Sequence, residues 1–157
     1  MFLFFIYGTL SALFALVAEI MSGAFLPKAG LSAIRSAAVS SLPVLISTII
    51  VLASIEELVK YFVLRKTLKA MNDIRTVPAS LLFGIGFAAT ELGLLFAMEQ
   101  PSTQTALLPV LGILIIHVVT AVIYGYGVRH GSGRSEALPI ILGISIHAAY
   151  NLVLALF

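Results

Sequence analysis

The chain has 157 residues, 61% of them hydrophobic and only 10% charged, with a mean hydropathy of +1.14. No water-soluble core of this size could bury so much apolar surface, so composition points to an integral membrane protein. The lack of cysteine excludes a disulfide framework, a thiolate nucleophile and a cysteine-ligated zinc, and a formal net charge of +2 is too small to recruit nucleic acid.

The apolar runs are continuous rather than alternating, which predicts spanning helices and not barrel strands. The expected fold is all-α, a polytopic membrane bundle of about five transmembrane helices, with residues 1–157 forming one integral-membrane domain. The first run covers residues 2–25, with Gly8, Ser11 and Gly23 inside it and no basic residue ahead of it, and reads as a retained helix rather than a signal peptide. Glu19 near its far end is expected at a solvated interface. Pro27, Lys28, Gly30 and Arg35 mark a break.

The second run, 37–64, carries Glu56, Glu57 and Lys60 and ends in the most basic loop of the chain, with Arg65, Lys66, Lys69, Asp73 and Arg75. Ionisable residues near a bilayer centre cost roughly 2.5 to 3.5 kcal/mol each on insertion scales, which a mere anchor has no reason to carry. The third run, 78–98, holds Glu91 and the small pair Gly84 and Ala88, spaced for close helix packing. A loop without positive charge, 99–105, follows. The fourth run, 106–128, places His117 on one face with Thr120, Ala121 and Tyr124, and ends in Arg129, His130, Gly131, Gly133 and Arg134. His130 is expected to be solvated, and Tyr124, Tyr126 and Tyr150 to fill core or interface positions. The fifth run, 137–157, holds His147 and Asn151. The positive-inside bias puts loops 65–77 and 129–136 in the cytoplasm, the N-terminus inside and the C-terminus outside.

Helix rise converts these positions into depth. Measured from the nearest cytoplasmic end, Glu57 lies about 12 Å deep, His147 about 14 Å, His117 about 18 Å, and Glu91 and Asn151 about 20 Å. Four helices thus each bring an ionisable group into one slab. Glu56 and Glu57 lie four and three residues before Lys60, so the lysine can serve as their counter-charge, and His147 and Asn151 stack on one face at a spacing of four.

No Ser-His-Asp arrangement, Gly-x-Ser-x-Gly elbow or His-Glu-x-x-His pair is present, which leaves carboxylate and imidazole chemistry on water. A glutamate would take the proton, a histidine would either share that task or stabilise the oxyanion, and an asparagine amide is a further donor. The same set could instead hold zinc, with Glu91, His117 and His147 as ligands and the Glu56/Glu57 pair left as base.

The ordered motifs Glu56-Glu57-x-x-Lys60, Phe87-Ala88-x-x-Glu91, His117-x-x-Thr120 and His147-x-x-x-Asn151 resemble the signature of the PrsW-type intramembrane proteases. They are similar, more distantly, to CAAX prenyl endopeptidases, bacteriocin-processing membrane proteases and the Aph subunit of gamma-secretase. The resemblance implies a multi-pass endopeptidase of a prokaryotic cell membrane that acts on a membrane-associated protein or peptide. It implies the paired glutamates Glu56 and Glu57 and the histidines His117 and His147 as the essential polar residues, to which the depth and spacing arguments add Glu91 and Asn151 as candidate catalytic residues, and the CAAX branch favours a glutamate-activated water over a metal cofactor. Two positions depart from the patterns: Leu92 follows Glu91 where the PrsW type has Asn, and Tyr61 stands where the CAAX branch has Arg. The Aph likeness allows a different outcome, a non-enzymatic scaffold that binds partner helices, and an ion-coupled transporter is a third. A homo-oligomer is compatible with all three.

Overall fold

The computed structural model describes residues 1–21, 42–71, 74–99, 103–131 and 136–156. Among these residues there are five helices and no strand: α1 (Phe2–Met21), α2 (Leu42–Ala70), α3 (Thr76–Glu99), α4 (Thr103–His130) and α5 (Ala137–Leu156). Each is long and apolar enough to cross a membrane, so the chain has the architecture of a multi-pass helical membrane protein. The expected break around Pro27 to Arg35 lies outside the described residues.

The helices are ordered by an inside-out pattern. On α1 the buried positions are Phe4, Gly8, Ser11, Ala12, Ala15 and Glu19, a stripe at helical spacing made mostly of small or polar residues, while Leu10, Phe14, Val17 and Ile20 are exposed. Lipid tails solvate large apolar side chains as well as a protein core does, so helices associate through faces that allow close approach. Gly8 and Gly86 supply such a face. A Cβ at Gly8 would collide with the Phe83 carbonyl, and one at Gly86 with the Phe5 carbonyl. Thr9 Oγ1 donates to the Gly86 carbonyl across the same contact at 3.3 Å. Residues 5 to 9 of α1 therefore lie beside 83 to 87 of α3, and farther along Ala12, Ala15 and Glu19 line one cavity with Phe87, Glu91 and Leu94, so the two helices run parallel.

Helix α2 touches all four others, and the remaining helices follow one another around it in the order α1, α3, α4, α5, with no contact between α1 and α5. Its buried stripe runs Leu45, Ile49, Ala53, Glu56, Glu57, Lys60, Tyr61, Leu64 and Leu68, so its polar residues continue an otherwise apolar seam. Phe4, Tyr61, Leu64, Phe83 and Tyr124 form the larger core toward one end, and Leu45, Ile49 and Ala155 a smaller one toward the other. The polar layer lies between these two apolar clusters.

Helix ends differ from the sequence expectation: α3 takes in Thr76 and Val77, α4 takes in residues 103–105, Arg129 and His130, all expected in loops, and α2 runs past its expected end. Arg65, Lys66 and Lys69 are not in a loop, because α2 continues through them to Ala70. Arg, Lys, Leu and Ala are all good helix formers. The extension is also held from outside: Glu136, just before α5, accepts hydrogen bonds from Tyr61 Oη at 2.6 Å, Arg65 Nε at 2.8 Å and Lys69 Nζ at 3.3 Å. Three donors spaced four apart on one face of α2 grip a single carboxylate. That grip holds the Glu136 carboxyl down at about 2, the Tyr61 hydroxyl contributing most and the Arg65 guanidinium next.

Candidate functional site

The site grows from one turn of α2. Lys60 is completely buried and donates to Glu57 Oε1 at 2.5 Å, to Thr120 Oγ1 at 2.9 Å and to His117 Nδ1 at 2.9 Å. An ammonium has three protons, and these contacts use all of them. The ammonium lies over the Phe87 ring, with Nζ 4.7 Å from its centroid. The spacing of three between Glu57 and Lys60 forms the expected pair, and α4 is recruited to it through His117 and Thr120.

Glu57 is equally committed. Oε1 takes the lysine and also His147 Nδ1 at 2.7 Å, while Oε2 accepts from Tyr124 Oη at 2.6 Å. Tyr124 is buried as expected, but its hydroxyl does more than fill space, since it closes the second oxygen of this carboxylate. Helices α2, α4 and α5 are thereby tied at one residue. Gly143 on α5 makes room for this tyrosine, because a Cβ there would collide with its hydroxyl.

These partners fix the two imidazoles in opposite tautomers. Lys60 has no lone pair, so His117 Nδ1 must accept, and the ring proton of His117 sits on Nε2, which is hydrogen-bonded to Glu91 Oε2. Glu57 can only accept, so His147 Nδ1 carries a proton, and in the neutral ring Nε2 is left as a lone pair. That Nε2 stands 3.8 Å from Glu56 Oε2. The two rings meet edge to face, with centroids 5.3 Å apart. With His147 neutral, a proton donor and a proton acceptor thus stand side by side in the polar layer, His117 oriented by Lys60 itself and His147 by the Glu57 that Lys60 holds. Gly84 on α3 permits this placement, as a Cβ there would overlap the backbone of the α4 turn that bears His117.

Glu56 and Glu57 are neighbours in sequence but have different surroundings. Glu56 lines a cavity of about 10 Å³, enough for one water molecule, together with Glu19, Glu91 and apolar groups that include Ala15, Phe87 and Leu94. Glu57 does not line it. Glu19 overturns the expectation of a solvated interfacial residue: it is 1% exposed and faces the same cavity. Sequence reasoning missed it because the position was judged from the end of its own run. The parallel pairing of α1 with α3 puts it level with Glu91, and the stripe of Gly8, Ser11, Ala12 and Ala15 leading to it was the available signal.

One expected member, Asn151, falls outside the cluster, and Tyr150 and Tyr126 take packing and surface positions. Asn151 is half-buried one turn beyond His147 and, among the described residues, makes no hydrogen bond to the cluster. Tyr150 donates to the Pro109 carbonyl at 3.0 Å, a helix-packing contact, and Tyr126 is exposed and stacks on His130 at the end of α4.

The converging trio that could hold a metal ion is Glu56, His117 and His147, whose ligand atoms lie within 4.8 Å of one another, rather than the expected Glu91, His117 and His147. Tetrahedral zinc would draw such atoms to about 3.4 Å apart. His147 has the support typical of a metal ligand, its other nitrogen donating to a carboxylate. His117 does not, because its other nitrogen accepts from Lys60 and its Nε2 carries the proton. In this hydrogen-bond pattern only two of the three, Glu56 and His147, offer a lone pair.

The fold and the site together define a multi-pass helical membrane protein with a buried carboxylate, imidazole and ammonium network around a water-sized cavity. No protein-family model matches the chain, and neither a curated protein nor a solved structure matches it. The likeness to PrsW-type proteases therefore rests on the ordered motifs alone.

Proposed function

We propose that this chain is a membrane-embedded endopeptidase that hydrolyses a peptide bond of a membrane-associated protein, with Glu56 as general base. The observation that carries this reading is the unequal placement of the adjacent glutamates. Glu57 has both oxygens engaged by Lys60, His147 and Tyr124, while Glu56 faces a cavity of one-water size. A carboxylate facing a cavity that can admit one water is the arrangement general-base hydrolysis needs, and the motif resemblance points to the same chemistry. A scaffold that only binds partner helices has no use for that cavity.

In the reaction Glu56 takes a proton from the water as its oxygen adds to the scissile carbonyl carbon. The negative charge that develops on the carbonyl oxygen is met by the His117 Nε2–H, which at rest is paired with Glu91. His147 Nε2, beyond Glu56, is the next acceptor along the proton path. Glu57 and Lys60 touch no reacting atom in this scheme and act as positioning residues that set the two tautomers. Arg65, Lys69 and Arg129 gather at one end of the bundle, which the positive-inside bias assigns to the cytoplasm. Labelling a Lys66→Cys variant of this cysteine-free chain from either side of sealed vesicles tests that orientation, and labelling from the outer side in cells would reverse it.

The activity is tested with purified protein in lipid vesicles and a library of single-span peptides read by mass spectrometry. Glu56→Gln is expected to lose about 10²- to 10⁴-fold in turnover, the usual worth of a positioned base. Absence of cleavage by the wild-type protein, or unchanged cleavage by Glu56→Gln, refutes the reading.

A further inference from the structure

We propose that the cavity at the basic end of the bundle binds one anionic phospholipid, whose phosphate sits between Lys69 and Arg129. The stretches 65–77 and 129–136 carry six of the nine basic residues of the chain and only two carboxylates, Asp73 and Glu136. The cavity there measures about 150 Å³ and is bounded by Lys69, Arg129 and Thr76, and by apolar side chains that include Leu68, Ile74 and Val128. Glu136 does not neutralise the two cations. It already accepts from Tyr61 and Arg65 at 2.6 and 2.8 Å, and Lys69 reaches it only at 3.3 Å from a half-exposed position. Arg129 is exposed and has no carboxylate partner among the described residues.

The occupant follows from depth and lining. Helix α2 has 29 residues, about 43 Å at helical rise, against a hydrocarbon core of about 30 Å, so its basic last turns reach the headgroup layer. Phosphates are the anions that layer supplies. An ammonium and a guanidinium on one side of the cavity match a phosphate by charge-assisted hydrogen bonds. The apolar side chains match the glycerol esters and first methylenes that follow it, which a free phosphate ion would leave against water. A zwitterionic headgroup would bring its own ammonium into the surplus of positive charge, so the site selects lipids of net negative charge. The lining comes from the end of α2, the connection to α3, the first residue of α3 and the last turns of α4, so a bound lipid ties these elements together. Lys69 is nine residues past Lys60, about 13 Å along α2, and the proposal does not depend on the hydrolase reading.

The test is native mass spectrometry of the full chain in detergent, titrated with dioleoylphosphatidylglycerol or with dioleoylphosphatidylcholine. The wild type is expected to hold one molecule of the anionic lipid at least about 10-fold more tightly than the zwitterionic one. Arg129→Gln and Lys69→Gln are each expected to weaken the anionic lipid about fivefold, and the double variant about 25-fold. Lys66→Gln, exposed at the same end but outside the cavity lining, is expected to change it by less than about twofold. Equal affinity for the two lipids, unchanged affinity in the double variant, or as large a loss in Lys66→Gln as in Arg129→Gln overturns the site. Inorganic phosphate is the last arm. If it displaces the lipid more than sodium chloride of the same ionic strength does, the cavity takes the free ion and the lipid assignment falls.

Discussion

Replacing Lys60 by methionine is the most informative single perturbation. It retains an unbranched side chain of similar length against Phe87 and removes the charge. Three contacts vanish together: those to Glu57, Thr120 and His117 Nδ1. Removing one member of a fully buried ion pair costs about 3–5 kcal/mol, because the partner charge is left without compensation. Glu57 retains Tyr124 and His147, which places the expected loss at the lower end, about 3 kcal/mol. The loss is reversible by a second change: Lys60→Met with Glu57→Gln removes both charges, and the double variant is expected to be more stable than Lys60→Met alone by about 1–2 kcal/mol. Unfolding in detergent measures the cycle. A second readout follows the tautomer. Without the lysine proton His117 is free to move its own proton from Nε2 to Nδ1, which nitrogen NMR of labelled imidazoles resolves, and turnover falls about 10²- to 10³-fold as for the loss of one oxyanion donor. If Lys60→Met is as stable as wild type, or if turnover is unchanged in it, Lys60 does not organise the cluster.

Three further outcomes are expected. Gly84→Val should cost at least about 1–3 kcal/mol by forcing α3 off the turn that carries His117, whereas Gly93→Ala, with open space around its Cβ position, should be neutral or stabilising by up to about 1 kcal/mol; paired unfolding curves compare them. Asn151→Ala should leave turnover within about tenfold of wild type, since Asn151 makes no hydrogen bond to the cluster; a loss as large as that of Glu56→Gln would restore its oxyanion role. The grip on Glu136 depresses its carboxyl from the ordinary 4.5 to about 2, so its contribution to stability is full above pH 4.5 and is lost as pH falls through that window toward 2. Glu136→Gln should therefore be less stable than wild type near neutrality and converge with it in strong acid, and equal stability at both pH values would contradict the clamp.

The five spans were legible because each run is continuous and long, and the polar slab was legible because rise per residue alone brings Glu57, Glu91, His117 and His147 to a similar depth. What periodicity withholds is rotation. Adjacent residues on a helix point about 100° apart, so Glu56 and Glu57 cannot occupy one environment, and the sequence does not say which of them meets Lys60 and which meets water. The packing decides it, because α4 and α5 approach Glu57 through Tyr124 and His147 while α1 and α3 approach Glu56 through Glu19 and Glu91. The same limit explains Asn151: a spacing of four stacks it over His147, but a helix face is wide enough for one residue to enter the cluster and the next to miss it.

The two histidines carry this reasoning one step further, because what separates them is a proton and not a position. Both rings are buried, both lie in the same layer, and each brings one nitrogen toward a glutamate of the cavity. One buried lysine makes them different. By donating to His117 it forces a proton onto the far nitrogen of that ring, and by holding Glu57 charged it draws the near proton of the other. A histidine pair without such a lysine could exchange roles or bind a metal symmetrically; with it, donor and acceptor are assigned before any substrate arrives. An ammonium sealed in a membrane is costly to retain, and the assignment of these two protons is a reason to retain it.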